Sequence, residues 1–125
     1  MLNEPRARMI PIFTTKGDVG AVLVYPYLYN ILGEWIGWLT ADRKVYSVHG
    51  RFVGYLTKDP RILRKREVVY DEPDQNPPFK PTNILLPSSF PLAPMMSELA
   101  MGMMDVLDEA PDLLAPIDFG LKDLD

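Results

Sequence analysis

A short pattern recurs at a fixed interval, and that interval limits the available folds more than any single motif does. Val19-Gly20-x-Val22, Ile36-Gly37-x-Leu39 and Val53-Gly54-x-Leu56 place their glycines 17 residues apart, twice over. The preceding segments align at the same offset, Leu28-Tyr29-Asn30-Ile31-Leu32 over Val45-Tyr46-Ser47-Val48-His49 and, more weakly, over Ile62-Leu63-Arg64-Lys65-Arg66. Each unit has two short aromatic and β-branched runs around a glycine and a polar residue, which is the signature of a β-hairpin. The units read as residues 10–25 with a turn at Gly17-Asp18, 27–39 with a turn at Gly33-Glu34, and 44–56 with a turn at Gly50-Arg51. A degenerate fourth copy covers 61–70, where Glu67 replaces the turn glycine and Tyr70-Asp71 the Val-Gly pair. The first turn sits one residue closer to its Val-Gly pair, a difference that a bulge absorbs.

Glycine weakens the interior of a strand, so Gly20, Gly37 and Gly54 at one register ask for a reason. Two readings stand: a neighbouring backbone or aromatic ring crowds those positions, or the strands bend there. Alternation places Trp35, Gly37 and Leu39 on one face and Ile36 and Trp38 on the other, and likewise Phe52, Gly54 and Leu56 against Val53 and Tyr55. Both faces are then apolar. A small sheet cannot cover both by itself, so either the C-terminal third or a second subunit must do so.

Residues 73–94 carry Pro73, Pro77, Pro78, Pro81, Pro87, Pro91 and Pro94, which excludes a regular helix or central strand and favours extended backbone. Interleaved Phe79, Ile84, Leu85, Leu86, Phe90 and Leu92 argue against a solvated linker, so the segment reads as a strap over one apolar face. Its Pro-x-x-Pro spacings, common in any proline-rich run, are weak evidence for a ligand of proline-reading domains. From Met95 to Leu107, the positions Met96, Leu99, Ala100, Met103, Val106 and Leu107 form a helical stripe, with methionines supplying adaptable packing rather than metal ligands. Pro111 ends that helix, and an acidic tail follows with Leu113, Leu114, Ile117, Phe119 and Leu121 as anchors. The expected fold is mainly β: tandem 17-residue hairpin repeats forming a small barrel or flower-like sheet, a Pro-rich strap and one C-terminal amphipathic helix. Its expected divisions are an arm at 1–9, the hairpin repeats at 10–72, the strap at 73–94, and the Met-rich helix and tail at 95–125.

Composition excludes more than it suggests. At 125 residues and 47% hydrophobic, the chain suits one core, and it has no cysteine for disulfides or thiolate metal sites. The net charge of −4 hides a division: residues 43–66 are basic, residues 97–125 acidic. The two ends can attract one another, or the basic stretch can meet an acidic partner. Residues 19–39 are apolar enough to suggest a membrane span, but Pro26, Asn30, Glu34 and the reappearance of the same pattern among charges at 48–56 argue against it. With no apolar run at the N-terminus, cytoplasmic residence is the expectation.

Catalytic chemistry has little to stand on. His49 is the single histidine, so zinc sites and nucleophile-histidine constellations reduce to one residue, and no Gly-rich phosphate loop precedes a helix. The acids at the turns, Asp18 and Glu34, give way to Arg51 in the third. The chain reads as a non-enzyme with no cofactor and no metal.

The repeats Gly33-Glu34-Trp35-Ile36-Gly37-Trp38-Leu39 and Gly50-Arg51-Phe52-Val53-Gly54-Tyr55-Leu56, preceded by Tyr29 and Tyr46, resemble those of the four-fold β-flower proteins, an uncharacterised bacterial group of tandem short hairpins. The resemblance spans residues 10–70 and implies a fold without implying an activity. The strands are also similar to those of PRC-barrel adaptor modules, although the even spacing fits the hairpin repeats better.

The leading functional reading is a non-enzymatic protein-interaction or assembly module acting as a homo-oligomer, with Trp35, Trp38, Phe52, Tyr55, Met96, Leu99 and Met103 as its surface and a protein partner. One alternative is nucleic-acid binding through Lys58, Arg61, Arg64, Lys65 and Arg66, with aromatics stacking on bases, against which the acidic whole chain weighs. The other is a small molecule in a central channel lined by Tyr29, Trp35, Trp38 or Tyr46.

Overall fold

The computed structural model describes residues 8–70 and 72–118. Eight strands, β1 (Ile10–Phe13), β2 (Val19–Val24), β3 (Tyr27–Tyr29), β4 (Trp35–Leu39), β5 (Lys44–Ser47), β6 (Phe52–Leu56), β7 (Ile62–Lys65) and β8 (Met103–Asp105), precede a one-turn helix α1 (Val106–Glu109) and a 3₁₀ turn at Pro111–Leu114. All pair antiparallel in chain order, forming one meandering sheet. The mainly β expectation holds, and β1/β2, β3/β4 and β5/β6 are the three repeats read from the glycine spacing.

The fourth hairpin differs from the expectation. Its second strand is not residues 67–70 but β8, with Leu63 opposite Asp105, Arg64 opposite Met104 and Lys65 opposite Met103. Glu67 stands where the other units place their turn glycine, and the chain does not turn back there. It leaves at Arg66 and returns at Gly102, whose carbonyl accepts the Arg66 amide over 2.7 Å.

Turn chemistry explains the other three. Gly33 and Gly50 adopt φ of 80° and 84°, a left-handed conformation that glycine enters without a Cβ clash. The Gly33 amide donates to Asn30 over 3.0 Å and the Asn30 amide to Glu34 over 2.9 Å, the pattern of a type I turn closed by a glycine bulge. The links between hairpins follow a second rule. In Thr40-x-Asp42 and Thr57-x-Asp59 the threonine hydroxyl meets the aspartate two residues on and accepts the amide of Lys44 (3.1 Å) or Arg61 (3.0 Å).

Each of the first three hairpins carries a register shift, and the extra residues are Gly20, Ile36 and Val53. This corrects the simple alternation. A bulged residue steps out of the period-2 pattern, so Ile36 and Val53 join Leu39 and Leu56 in the central core, with Ile12, Leu28, Val45 and Ile62. Trp35 instead packs with Tyr29 and Val48 in a smaller cluster.

The sheet curls until its ends meet. The Phe13 amide reaches the Pro60 carbonyl over 2.8 Å, and one Asp105 oxygen accepts both the amide (2.6 Å) and the hydroxyl (2.7 Å) of Thr15. Val106 and Leu114 then enter the core, with Leu107 packed against it. Crowding acts at all three repeated glycines. A Cβ on Gly20 would lie 3.0 Å from Leu107, one on Gly37 would lie 2.9 Å from Leu114 and run into the Tyr46 carbonyl, and one on Gly54 would run into the Leu63 carbonyl.

The expected helix over 95–107 is also corrected: only Val106–Glu109 is helical. Among the described residues, no helix is long and apolar enough to cross a membrane.

Candidate functional site

Between β7 and β8 the chain travels back around the hairpins it has already built. The Gln75 amide donates to the Gly50 carbonyl over 2.8 Å and the Ile84 amide to the Gly33 carbonyl over 3.0 Å. Ala93 lies 4.0 Å from where a Cβ on Gly17 would stand. Nine residues separate Gln75 from Ile84, and nine separate Ile84 from Ala93. The strap thus visits the third, second and first tips in turn, then completes the fourth hairpin as β8.

Within the strap, Pro78, Pro81 and Ile84 are half-buried, as are Phe90, Ala93, Met96 and Leu99 after a slip at Leu86. A period of three is that of polyproline II. Each nine-residue step is three such turns.

The side chains facing away from the hairpins are the unusual ones. Phe79, Leu85, Leu92, Met95 and Met101 are 93% to 102% exposed. The strap meets an apolar patch of the sheet at Ile84, which packs against the Tyr29, Trp35 and Val48 cluster, while these five side chains face solvent. Isolated exposed apolar residues are ordinary; here five recur along one segment, at the two positions of the three-residue period that do not meet the tips.

Of the residues expected to form an interaction surface, Trp35 and Phe52 are buried at 3% and 8% exposure, while Trp38, Met96, Leu99 and Met103 are half-buried and Tyr55 is exposed. The Trp35 indole donates to the Gly37 carbonyl (2.7 Å) and the Trp38 indole to that of Ser47 (3.1 Å). Trp38 stacks on Tyr46 with centroids 4.8 Å apart, and Phe52 meets Tyr46, Tyr55 and Tyr70 edge-on. These aromatics form an outer layer between neighbouring strands. They do not line a central channel, because aliphatic side chains fill the centre.

The basic stretch is largely engaged within the molecule. Arg61, 2% exposed, binds Asp59 over 2.7 Å, Thr15 over 3.1 Å and Ser97 over 3.2 Å. Arg64 donates to the Val53 carbonyl and lies 5.0 Å over the Tyr70 ring. Arg66 pairs with Glu109 over 2.9 Å, so the basic stretch and the acidic third do attract each other. Lys58, in the link before β7, and Lys65, at its last position, are exposed.

Around Arg61 the charges balance. Burial raises the Asp59 pKa, but hydrogen bonds from Thr57 and Arg61 together with the Arg61 charge outweigh it and hold the carboxyl below its ordinary value. Asp105, 1% exposed, uses one oxygen on Thr15 and leaves the other without a partner among the described residues.

A cleft of about 570 Å³ beside the third hairpin is lined by Ser47, His49, Arg51, Asp74 and Asp112. Among the described residues, no group of three metal-ligating side chains comes together. The signal for the strap that lies in the sequence is a three-residue period of proline and apolar residues, running from Pro78 through Pro81 and Ile84 to Leu99.

Compared with known families, residues 10–100 match a family model described as 4-fold beta flower protein. No curated protein and no solved structure matches the chain.

Proposed function

The chain belongs to the 4-fold beta flower family, and we propose that it acts as a non-enzymatic assembly or protein-interaction module and works as a homo-oligomer. The observation that carries this reading is the series of Phe79, Leu85, Leu92 and Met95 exposed along the strap. Four nearly bare large side chains present on the order of 600 Å² per copy, the lower end of what one partner contributes to a specific interface. Burying such a row against a second copy removes apolar surface from water at about 25 cal/mol per Å². The strap is suited to the role, since its backbone is anchored at the hairpin tips and its outer side chains lose little further freedom on association. The hairpin repeats then serve as a rigid frame for the strap. Light scattering across a concentration series tests the reading: a mass of two or more chains supports it, and the mass of a single chain at all concentrations overturns it.

A further inference from the structure

The same strap suggests a binding site that its own path leaves open. An extended segment passes the tips of the first three hairpins, at Ala93, Ile84 and Gln75. At the fourth, no segment crosses among the described residues, and a Cβ on Gly102 would meet nothing within 4 Å. In its place is a groove of about 550 Å³ lined by Lys65, Arg66, Glu67, Val68, Met101 and Met103 beside Gly102. We propose that this groove binds an extended, proline-containing segment of a partner protein through side-chain contact, as the first tip meets Ala93, since the Gly102 carbonyl already accepts the Arg66 amide. This deepens the interaction-module reading and rests on it, while naming a partner other than a second copy.

The chemistry of the occupant is read from the occupied tips. They take Asp74-Gln75-Asn76-Pro77-Pro78, Ile84-Leu85-Leu86-Pro87 and Ala93-Pro94, stretches of extended chain followed by proline. Such chains are largely ordered before binding, which lowers the entropy lost on docking. Met101 and Met103 are unbranched and polarisable, able to fit a range of apolar side chains, and Met101 is fully exposed. Arg66 is neutralised by Glu109 over 2.9 Å, which leaves the exposed Lys65 at the rim to meet a carboxylate placed as Asp74 is before Gln75.

The test uses the full chain and a fluorescent peptide copying residues 73–81. Anisotropy is expected to show saturable binding, weakened at least tenfold by Met101→Asp and by Val68→Asp, and unchanged by Leu92→Asp on the strap's outer row. Absence of saturation, or binding indifferent to both groove substitutions, overturns the proposal. Sedimentation of Met101→Asp separates it from self-association: if that variant alone dissociates the assembly, the groove holds a second copy and the partner assignment fails. A folded variant with unchanged mass and lost peptide binding supports it.

Discussion

The Gln75 amide lies 2.8 Å from the Gly50 carbonyl, and a Cβ added to Gly50 would collide with the carbonyl of that same Gln75. One glycine therefore does two jobs. It takes the positive φ that closes the third hairpin, and it leaves room for the strap to lie against the tip.

That double role separates the turn glycines by the cost of replacing them. Gly33→Ala and Gly50→Ala add a backbone collision to left-handed strain and are expected to lose about 3 kcal/mol or more, with the strap displaced. Gly102→Ala carries the strain alone, about 1–2 kcal/mol, because its added Cβ meets nothing within 4 Å among the described residues. Urea denaturation of the three variants measures the difference, and equal losses at Gly50 and Gly102 contradict it.

Arg61 is a buried structural cation, although in the sequence it stands among surface-like charges. Arg61→Ala strands Asp59 and removes the contacts to Thr15 and Ser97, an expected loss of about 2–4 kcal/mol. Lys58→Ala, at an exposed position in the same basic stretch, is expected to stay within about 0.5 kcal/mol. The urea midpoints of the two variants decide the matter.

Asp59 gives the fold a signature in acid. Its pKa is lowered in the folded chain, against burial, by Thr57 and Arg61, so the folded state holds its proton less tightly than the unfolded one. The stabilisation is present above the unfolded value of about 4 and is lost as pH falls through the lower folded value. The stability gap between the parent and Asp59→Asn is expected to narrow as pH drops below about 4. A gap independent of pH from 6 to 2 contradicts the assignment.

Three hairpins were legible because period-2 strands, turn glycines and an even spacing coincide at Gly20, Gly37 and Gly54. The fourth was not, because its partner strand lies beyond a 36-residue excursion from Arg66 to Gly102, and no local pattern announces a pairing that distant. The pair Met96 and Leu99 resembled a helix turn for a specific reason. A polyproline chain repeats every three residues, so residues three apart share a face in either structure. Trp35 and Phe52 looked available because strict alternation put them beside Gly37 and Gly54, and the bulges at Ile36 and Val53 change that geometry. The nine-residue step, by contrast, takes on meaning only beside the positions of Gly50, Gly33 and Gly17.

The central claim is that the outward row on the strap is where copies of the chain meet. Sedimentation equilibrium of the parent beside the double variant Leu85→Asp, Leu92→Asp measures it directly, since both side chains are exposed and make no core contact. The account predicts an assembled parent and a folded, monomeric variant. A monomeric parent, or a variant that keeps the assembled mass, contradicts it.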